Sequence, residues 1–340
     1  MSAVTPDTGG MVPVGVAGPA PVRRLTSGLL LAGVSAAAFS LSGVFASGLL
    51  ATGWTPGSMV LVRVAVAALV VLPLGVLSLR GDWRPVRRNL GLIALYGAIS
   101  VAGCQFAYFS AVQYMPVGPA LLIEYTAPAA VVLWFWLRHG QRPTGATVLG
   151  TLLAAAGLVL VLDLVGPGAG SGASTDPVGV AWALLAMLGV STYFVINADL
   201  STGLPPLALA AGGLTAATLV LALLGATGLM PLGWSTASPV YGGTAVPWWL
   251  PVLGLGVVTA ALAYVAGIAA GRLLGPRLAS FVGLSEVVAA IGFAWLLLGE
   301  LPRPVQLVGG VLILVGVVAV QAGEQKATPS GRRGRGRRAA

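Results

Sequence analysis

The sequence predicts an all-α membrane protein of ten transmembrane helices, built as two inverted five-helix repeats with both termini in the cytoplasm. Three observations predict it: ten apolar stretches of about twenty residues, charge confined to the gaps between them, and a second half that repeats landmarks of the first. A helix rises about 1.5 Å per residue, so roughly twenty apolar residues cross the roughly 30 Å hydrocarbon core. With 57% hydrophobic and 8% charged residues, the chain lies far from the roughly 25% charge of a soluble domain.

The spans follow in order. The first, 27–50, starts after Arg23 and Arg24. The second, 57–79, ends against Arg80, Arg84, Arg87 and Arg88; the third is 89–113. The fourth, 117–137, stops at Arg138 and Arg142, and the fifth, 145–163, at Asp163. The sixth, 177–198, begins after Asp176, and the seventh is 206–229. The eighth, 248–271, ends at Arg272; the ninth, 278–298, follows Arg277; the tenth, 303–321, precedes Lys326 and five arginines at 332–338. All of the 18 Lys and Arg except Arg63 and Arg303 thereby fall on one side, which the preference of basic residues for cytoplasmic loops makes the inside. Tryptophans at 54, 182, 234, 248, 249 and 295 gather at the predicted outer face and those at 83, 134 and 136 at the inner one, as interfacial belts do.

The net charge of +9 is thus largely an insertion signal. The segments read as a disordered cytoplasmic tail (1–24), a first repeat (25–163), a Gly/Ser-rich external linker (164–176), a second repeat (177–322) and a basic tail (323–340). That last tail is expected on anionic headgroups of the membrane lipid, with no nucleic-acid role. Arg23, Arg24 and the first span look like a signal peptide, but the apolar run is too long for a cleaved one. Cys104 is the single cysteine, so no intrachain disulfide forms. The 49 glycines suit close approach of helices, as in Gly43 with Ser47 and Gly150 with Ala154.

In the repeat, Gly118-Pro119 corresponds to Gly275-Pro276, Pro143 to Pro302 or Pro304, and Gly157 to Gly316. Five spans per repeat is an odd number, so the halves enter the membrane from opposite sides, the plan of many secondary transporters. The stretches ALLIEYTAP at 120–128 and FVGLSEVVAAIGFAWLLLGELPRPVQLVGG at 281–310 carry a further likeness, sharpest at Leu298-Gly299-Glu300 followed by Pro302, Gln306 and Gly309-Gly310. Through them the chain, over roughly 27–321, resembles the EamA-type transporters of the drug/metabolite transporter superfamily. That resemblance implies export of amino acids or other small metabolites, often in exchange for protons. The first half has Arg138-His139-Gly140 where the second has Leu298-Gly299-Glu300, so symmetry assigns Glu300 no essential role.

Ionisable residues inside a span are costly and mark function by default. They are Arg63, Glu124 and Glu286. Arg63 and Glu124 lie level, roughly 10 Å from the outer end of their spans, and are expected to form an ion pair if their helices are neighbours. Pro128 removes the helical bond to the Glu124 carbonyl, which predicts a kink beside Tyr125 and Thr126; the second half has no such proline and is expected to be straighter. The polar residues divide into an outer layer with Gln105 and Tyr108 and an inner one with Glu286, Tyr193, Asn197 and Tyr264, one per gate. Glu286, among Val287, Val288 and Ile291 with no basic residue in its span, is the candidate for proton coupling.

No phosphate-binding glycine loop, metal-ligand cluster or nucleophile elbow is present, so the reading is of a non-enzyme without cofactor or metal. The expectation is a secondary transporter of the bacterial cytoplasmic membrane, an exporter of a small polar or amphipathic metabolite such as an amino acid, coupled to protons and compatible with a homodimer. The alternatives are an intramembrane scaffold or lipid-handling protein, or a drug efflux carrier. The topology has a direct test. A cysteine replacing Ser235, in the long uncharged loop, is expected to react with an impermeant maleimide from outside intact cells. Labelling of Arg84→Cys instead would invert the topology.

Overall fold

A computed structural model describes residues 21–139, 144–162, 176–198 and 203–327. The predicted linker up to 175, Arg142, Pro143 and most of both predicted tails lie outside these residues. Helix α1, Pro21–Leu50, begins inside the segment predicted as the first tail, and α14, Pro304–Ala327, extends past the predicted end of the second repeat.

The remaining elements are α2 (Pro56–Ser78), α3 (Arg84–Arg88), α4 (Leu90–Leu95), α5 (Cys104–Tyr114), α6 (Val117–Glu124), α7 (Ala127–His139), α8 (Gly145–Val161), α9 (Pro177–Ala198), α10 (Pro206–Ala226), α11 (Trp249–Leu253), α12 (Ala263–Gly283) and α13 (Ser285–Leu298). A π-helical segment, Tyr96–Gly103, joins α4 to α5, and a second, Gly254–Leu262, joins α11 to α12. A small hairpin pairs β1 (Val240–Tyr241) with β2 (Thr244–Ala245) around Gly242 and Gly243, both at positive φ, as tight two-residue turns require.

Among the described residues, 7 helical segments qualify by length and apolarity to cross a membrane, among them Pro56–Ser78, Leu90–Tyr114 and Trp249–Leu274. The shorter apolar helices Gly145–Val161, Pro177–Tyr193 and Ser285–Leu298 coincide with the fifth, sixth and ninth predicted spans. One boundary differs. The stretch 272–277, expected as a loop, is helical within α12, and the break falls at Leu284. Arginine marks headgroup depth but is a good helix former, so a basic pair does not end a helix.

Packing brings distant parts of the chain together. Helix α1 lies against α12 and α13, α5 against α9, α2 against α10 and α8 against α14. The first π segment packs on α10 and the second on α2. Glycines make these contacts close: a methyl carbon built on Gly97 would lie 2.6 Å from the Gly213 carbonyl oxygen, and one on Gly256 2.6 Å from Val66.

The tightest seam joins α8 to α14. Built methyl carbons on Gly150 and Gly157 would sit 2.5 Å from the carbonyl oxygens of Gly316 and Gly309, and the reciprocal contacts are equally short. Apolarity gives no advantage to helix contact inside lipid, so backbone approach and van der Waals packing supply it.

At one end the loop between α10 and α11 straps the bundle. Gly233 N–H donates to Thr55 Oγ1 at 3.0 Å, Trp54 Nε1 to the Ser235 carbonyl at 2.8 Å, Gly242 N–H to Leu297 at 2.8 Å, and the Tyr241 hydroxyl to Phe45 at 2.9 Å. Trp54 stacks edge-on against Trp234 at 5.3 Å. Helix α13 ends on Gly299, whose φ of 72° suits glycine, and Glu300 then caps α6 by accepting the Val117 amide at 3.0 Å. Burial pushes the Glu300 carboxyl up, and the Val117 amide acts against that shift. The sequence had given this residue no role; its role here is to tie the start of α6 to the turn before α14.

If the glycine seam holds α8 to α14, Gly157→Ala forces the helices apart and is expected to lower thermal stability in detergent by about 1–3 kcal/mol. Gly33→Ala, with nothing within 4 Å of its built methyl, is the control and is expected to leave stability unchanged. Equal melting of the two variants would remove the seam from the account.

Candidate functional site

Two helix breaks build the site. In the first, the Thr126 hydroxyl donates to the Ile123 carbonyl at 2.7 Å, taking the acceptor that the next amide would use. Pro128 follows at the second position of α7, where its missing N–H costs nothing. The predicted kink is therefore a full interruption: α6 ends at Glu124 and α7 starts at Ala127.

The second half breaks as well, contrary to the straighter helix expected from its lack of proline. There the Ser285 hydroxyl donates to the Val282 carbonyl at 2.6 Å, the same device in another hydroxyl residue. Gly283 precedes it, and glycine is a poor helix former. Glu286 consequently stands in the first turn of α13, where the helix dipole favours negative charge.

Between the breaks lies a cavity of about 370 Å³. Arg63, Gln105, Tyr108, Glu124, Tyr125, Tyr193, Tyr264 and Glu286 all line it, with Pro128 on its wall. The Asn197 side chain lies outside the described residues. Gln105 and Tyr108 of the expected outer layer and Glu286, Tyr193 and Tyr264 of the expected inner one line this same cavity. Tyr125, adjacent to Glu124, donates its hydroxyl to Glu286 Oε2 at 2.8 Å and so links the two breaks directly.

Arg63 is 2% exposed. Its guanidinium donates to Gln105 Oε1 through Nη1 and to the Thr259 carbonyl through Nη2 at 2.9 Å, and lies 5.4 Å from the centre of the Phe109 ring. The expected ion pair with Glu124 is absent. Gln105 on α5 and a carbonyl of the second π segment take the guanidinium instead, while Glu124 Oε1 accepts the Cys104 thiol at 3.9 Å. A guanidinium has five donors, so two acceptors leave it capacity for a bound anion.

Sequence reasoning missed several lining residues. Ser42 and Ser100 present buried hydroxyls, and Gln321 a buried side-chain oxygen, without a hydrogen-bond partner among the described residues. Ser40, Phe39 and Cys104 complete this part of the wall, with Phe39 edge-on to Tyr264 at 5.3 Å. Serines are routine in apolar spans, and nothing but the unpaired state of their hydroxyls distinguishes these. Cys104 looked isolated because its neighbour Glu124 arrives from another helix.

Comparisons with known proteins place this architecture in a family. The model of the EamA-like transporter family matches residues 26–163 and again 177–321. A probable terminal-alkyne amino-acid exporter of Streptantibioticus cattleyicolor is 29% identical over 277 residues, covering 79% of this chain and 84% of that protein. The threonine/homoserine exporter RhtA of Escherichia coli K12 is 27% identical over 261 residues, covering 74% and 78%. One solved crystal structure aligns with a TM-score of 0.58 at 22% identity, over 89% of this chain and 99% of the other, a likeness of fold. The chain belongs to the EamA-like transporter family, within the drug/metabolite transporter superfamily, and is a multi-pass protein of the plasma membrane.

Proposed function

We propose that this protein exports a small zwitterionic metabolite, an amino acid, in exchange for protons. One observation carries the reading: a buried arginine, with no ion pair among the described residues, shares a single cavity with two glutamates. A zwitterion complements that set. Its carboxylate bonds the remaining donors of Arg63, and its ammonium group takes Glu124, which lines the same cavity. The aromatic wall of Phe39, Tyr108 and Tyr264 receives the side chain. Two similar proteins named as amino-acid exporters support the substrate class.

Glu286 is the proton carrier in this scheme. Tyr125 holds its carboxylate, and protonation of Glu286 breaks the charge on that hydrogen bond and loosens the link between the two helix breaks. Proton entry from one side and substrate exit to the other then alternate at the same cavity. We read the membrane plan as ten spans in two inverted five-helix repeats with cytoplasmic termini. The double family match, the two π segments and the exchange of packing partners between α1 with α12 and α9 with α5 support that plan.

Proteoliposomes test the parts separately. Counterflow of radiolabelled amino acids, threonine and homoserine first, is expected for the unmodified protein; counterflow of none of them would remove the substrate class. Arg63→Ala is expected to lower counterflow about tenfold or more, since a hydrogen bond to a charged group contributes about 1.5–3 kcal/mol. Gln105→Ala is expected to weaken it less, and the double variant less than the two effects combined, because the residues act as one unit. Independent effects would separate Gln105 from the anion site.

The proton role has its own outcome. Glu286→Gln is expected to retain counterflow and to lose accumulation driven by a pH gradient. Undiminished gradient-driven accumulation would move proton coupling elsewhere.

A further inference from the structure

We propose that the groove between α2, α4 and α10 is a binding site for an anionic phospholipid, with an acyl chain in the groove and the phosphate on the arginines of the α2–α3 turn and α3. A cavity of about 310 Å³ lies there, separate from the central one. Its lining is almost wholly apolar: Leu72 and Val76 of α2, Ile93 and Ala94 of α4, and Ala211 and Leu219 of α10 among others. The floor is set by close approach of α2 and α10, where a methyl carbon built on Gly75 would collide with Ala211. The one hydroxyl on the α10 wall, Thr215, is already satisfied by the Ala211 carbonyl at 2.8 Å, so the slot offers no polar group to a ligand tail.

The charge sits at one end. Trp83 and Val86 line the groove, and Arg80, Arg84, Arg87 and Arg88 are all exposed around them. Asp82 is the single acidic residue among them, and its carboxylate accepts the Arg84 amide at 3.0 Å. Arg80 adopts φ 50°, unusual for a residue other than glycine, followed by Gly81 at 87°. This turn places Arg80 and the α3 arginines next in sequence to Leu79, Trp83 and Val86, which line the end of the slot. Trp83, half exposed at the same level, is the side chain that favours the headgroup region. An apolar slot ending in four cations beside an interfacial tryptophan complements one common membrane component, a phospholipid with net negative charge.

The test does not depend on the transport reading. Purified protein is delipidated, then equilibrated in nanodiscs of phosphatidylglycerol mixed with phosphatidylcholine, and the retained lipid is read by native mass spectrometry. Preferential retention of phosphatidylglycerol is expected. Arg84→Gln/Arg87→Gln/Arg88→Gln is expected to weaken that preference on the order of a hundredfold. Ala94→Phe, which fills the slot while keeping the charges, is expected to reduce retention with unaltered folding by circular dichroism. Glycerophosphate, which has the headgroup chemistry without tails, is expected not to compete. Equal retention of the two lipids, an unchanged preference in the triple variant, unaltered retention in Ala94→Phe, or competition by glycerophosphate would each overturn the proposal.

Discussion

Inside a bilayer no water is available to satisfy backbone amides and carbonyls, so a helix that stops midway must have its loose ends met by the protein or by what occupies a cavity. This chain stops two helices midway, at Tyr125–Thr126 and at Leu284. Each break is managed by a hydroxyl side chain bonded to a carbonyl one turn back, and each carries a glutamate at its edge. The cavity, the position of both carboxylates and the Tyr125–Glu286 bond all follow from these two interruptions.

The scaffold around the breaks is held by contacts that need no side chain. The α8–α14 seam holds α14, which supplies Val317 and Gln321 to the cavity wall, while the first π segment packs on α5, α9 and α10 and the second on α1 and α2. The strap between α10 and α11 closes one end by hydrogen bonds to α1 and α2 and by the insertion of Tyr241 against Gly48. In the proposed carrier, release of substrate at that end would require this strap to yield while the glycine seam stays fixed. Rigid seam and yielding strap divide the molecule into the parts that a rocking carrier needs.

Much of this was legible in the sequence because membrane insertion is written in local composition. Apolar length and the placement of arginines located the helical segments, and the cost of burying charge singled out Arg63, Glu124 and Glu286. What was not legible depends on contacts between distant residues. Depth along a span placed Arg63 level with Glu124, but depth says nothing of rotation, and Gln105 with the Thr259 carbonyl won the guanidinium. The second break escaped because proline was taken as its marker, whereas it falls after Gly283 and beside a Ser285–Val282 bond of a kind that Ser40 also makes to Ala37 within the unbroken α1. The single-cavity arrangement escaped for the same reason, since the break resets the path of α13 and brings Glu286 to Tyr125.

The central claim is that substrate sits between Arg63 and Glu124 in the cavity that the breaks create. Cys104, the chain's only thiol, reports on that position from within, since it lines the cavity and touches Glu124. The most direct measurement is the rate at which a small membrane-permeant thiol reagent modifies Cys104 in the unmodified protein, with and without saturating amino acid. An amino acid is expected to slow modification severalfold, and its decarboxylated amine, lacking the group that binds Arg63, is expected not to. Modification at the same rate with and without a transported amino acid would contradict it.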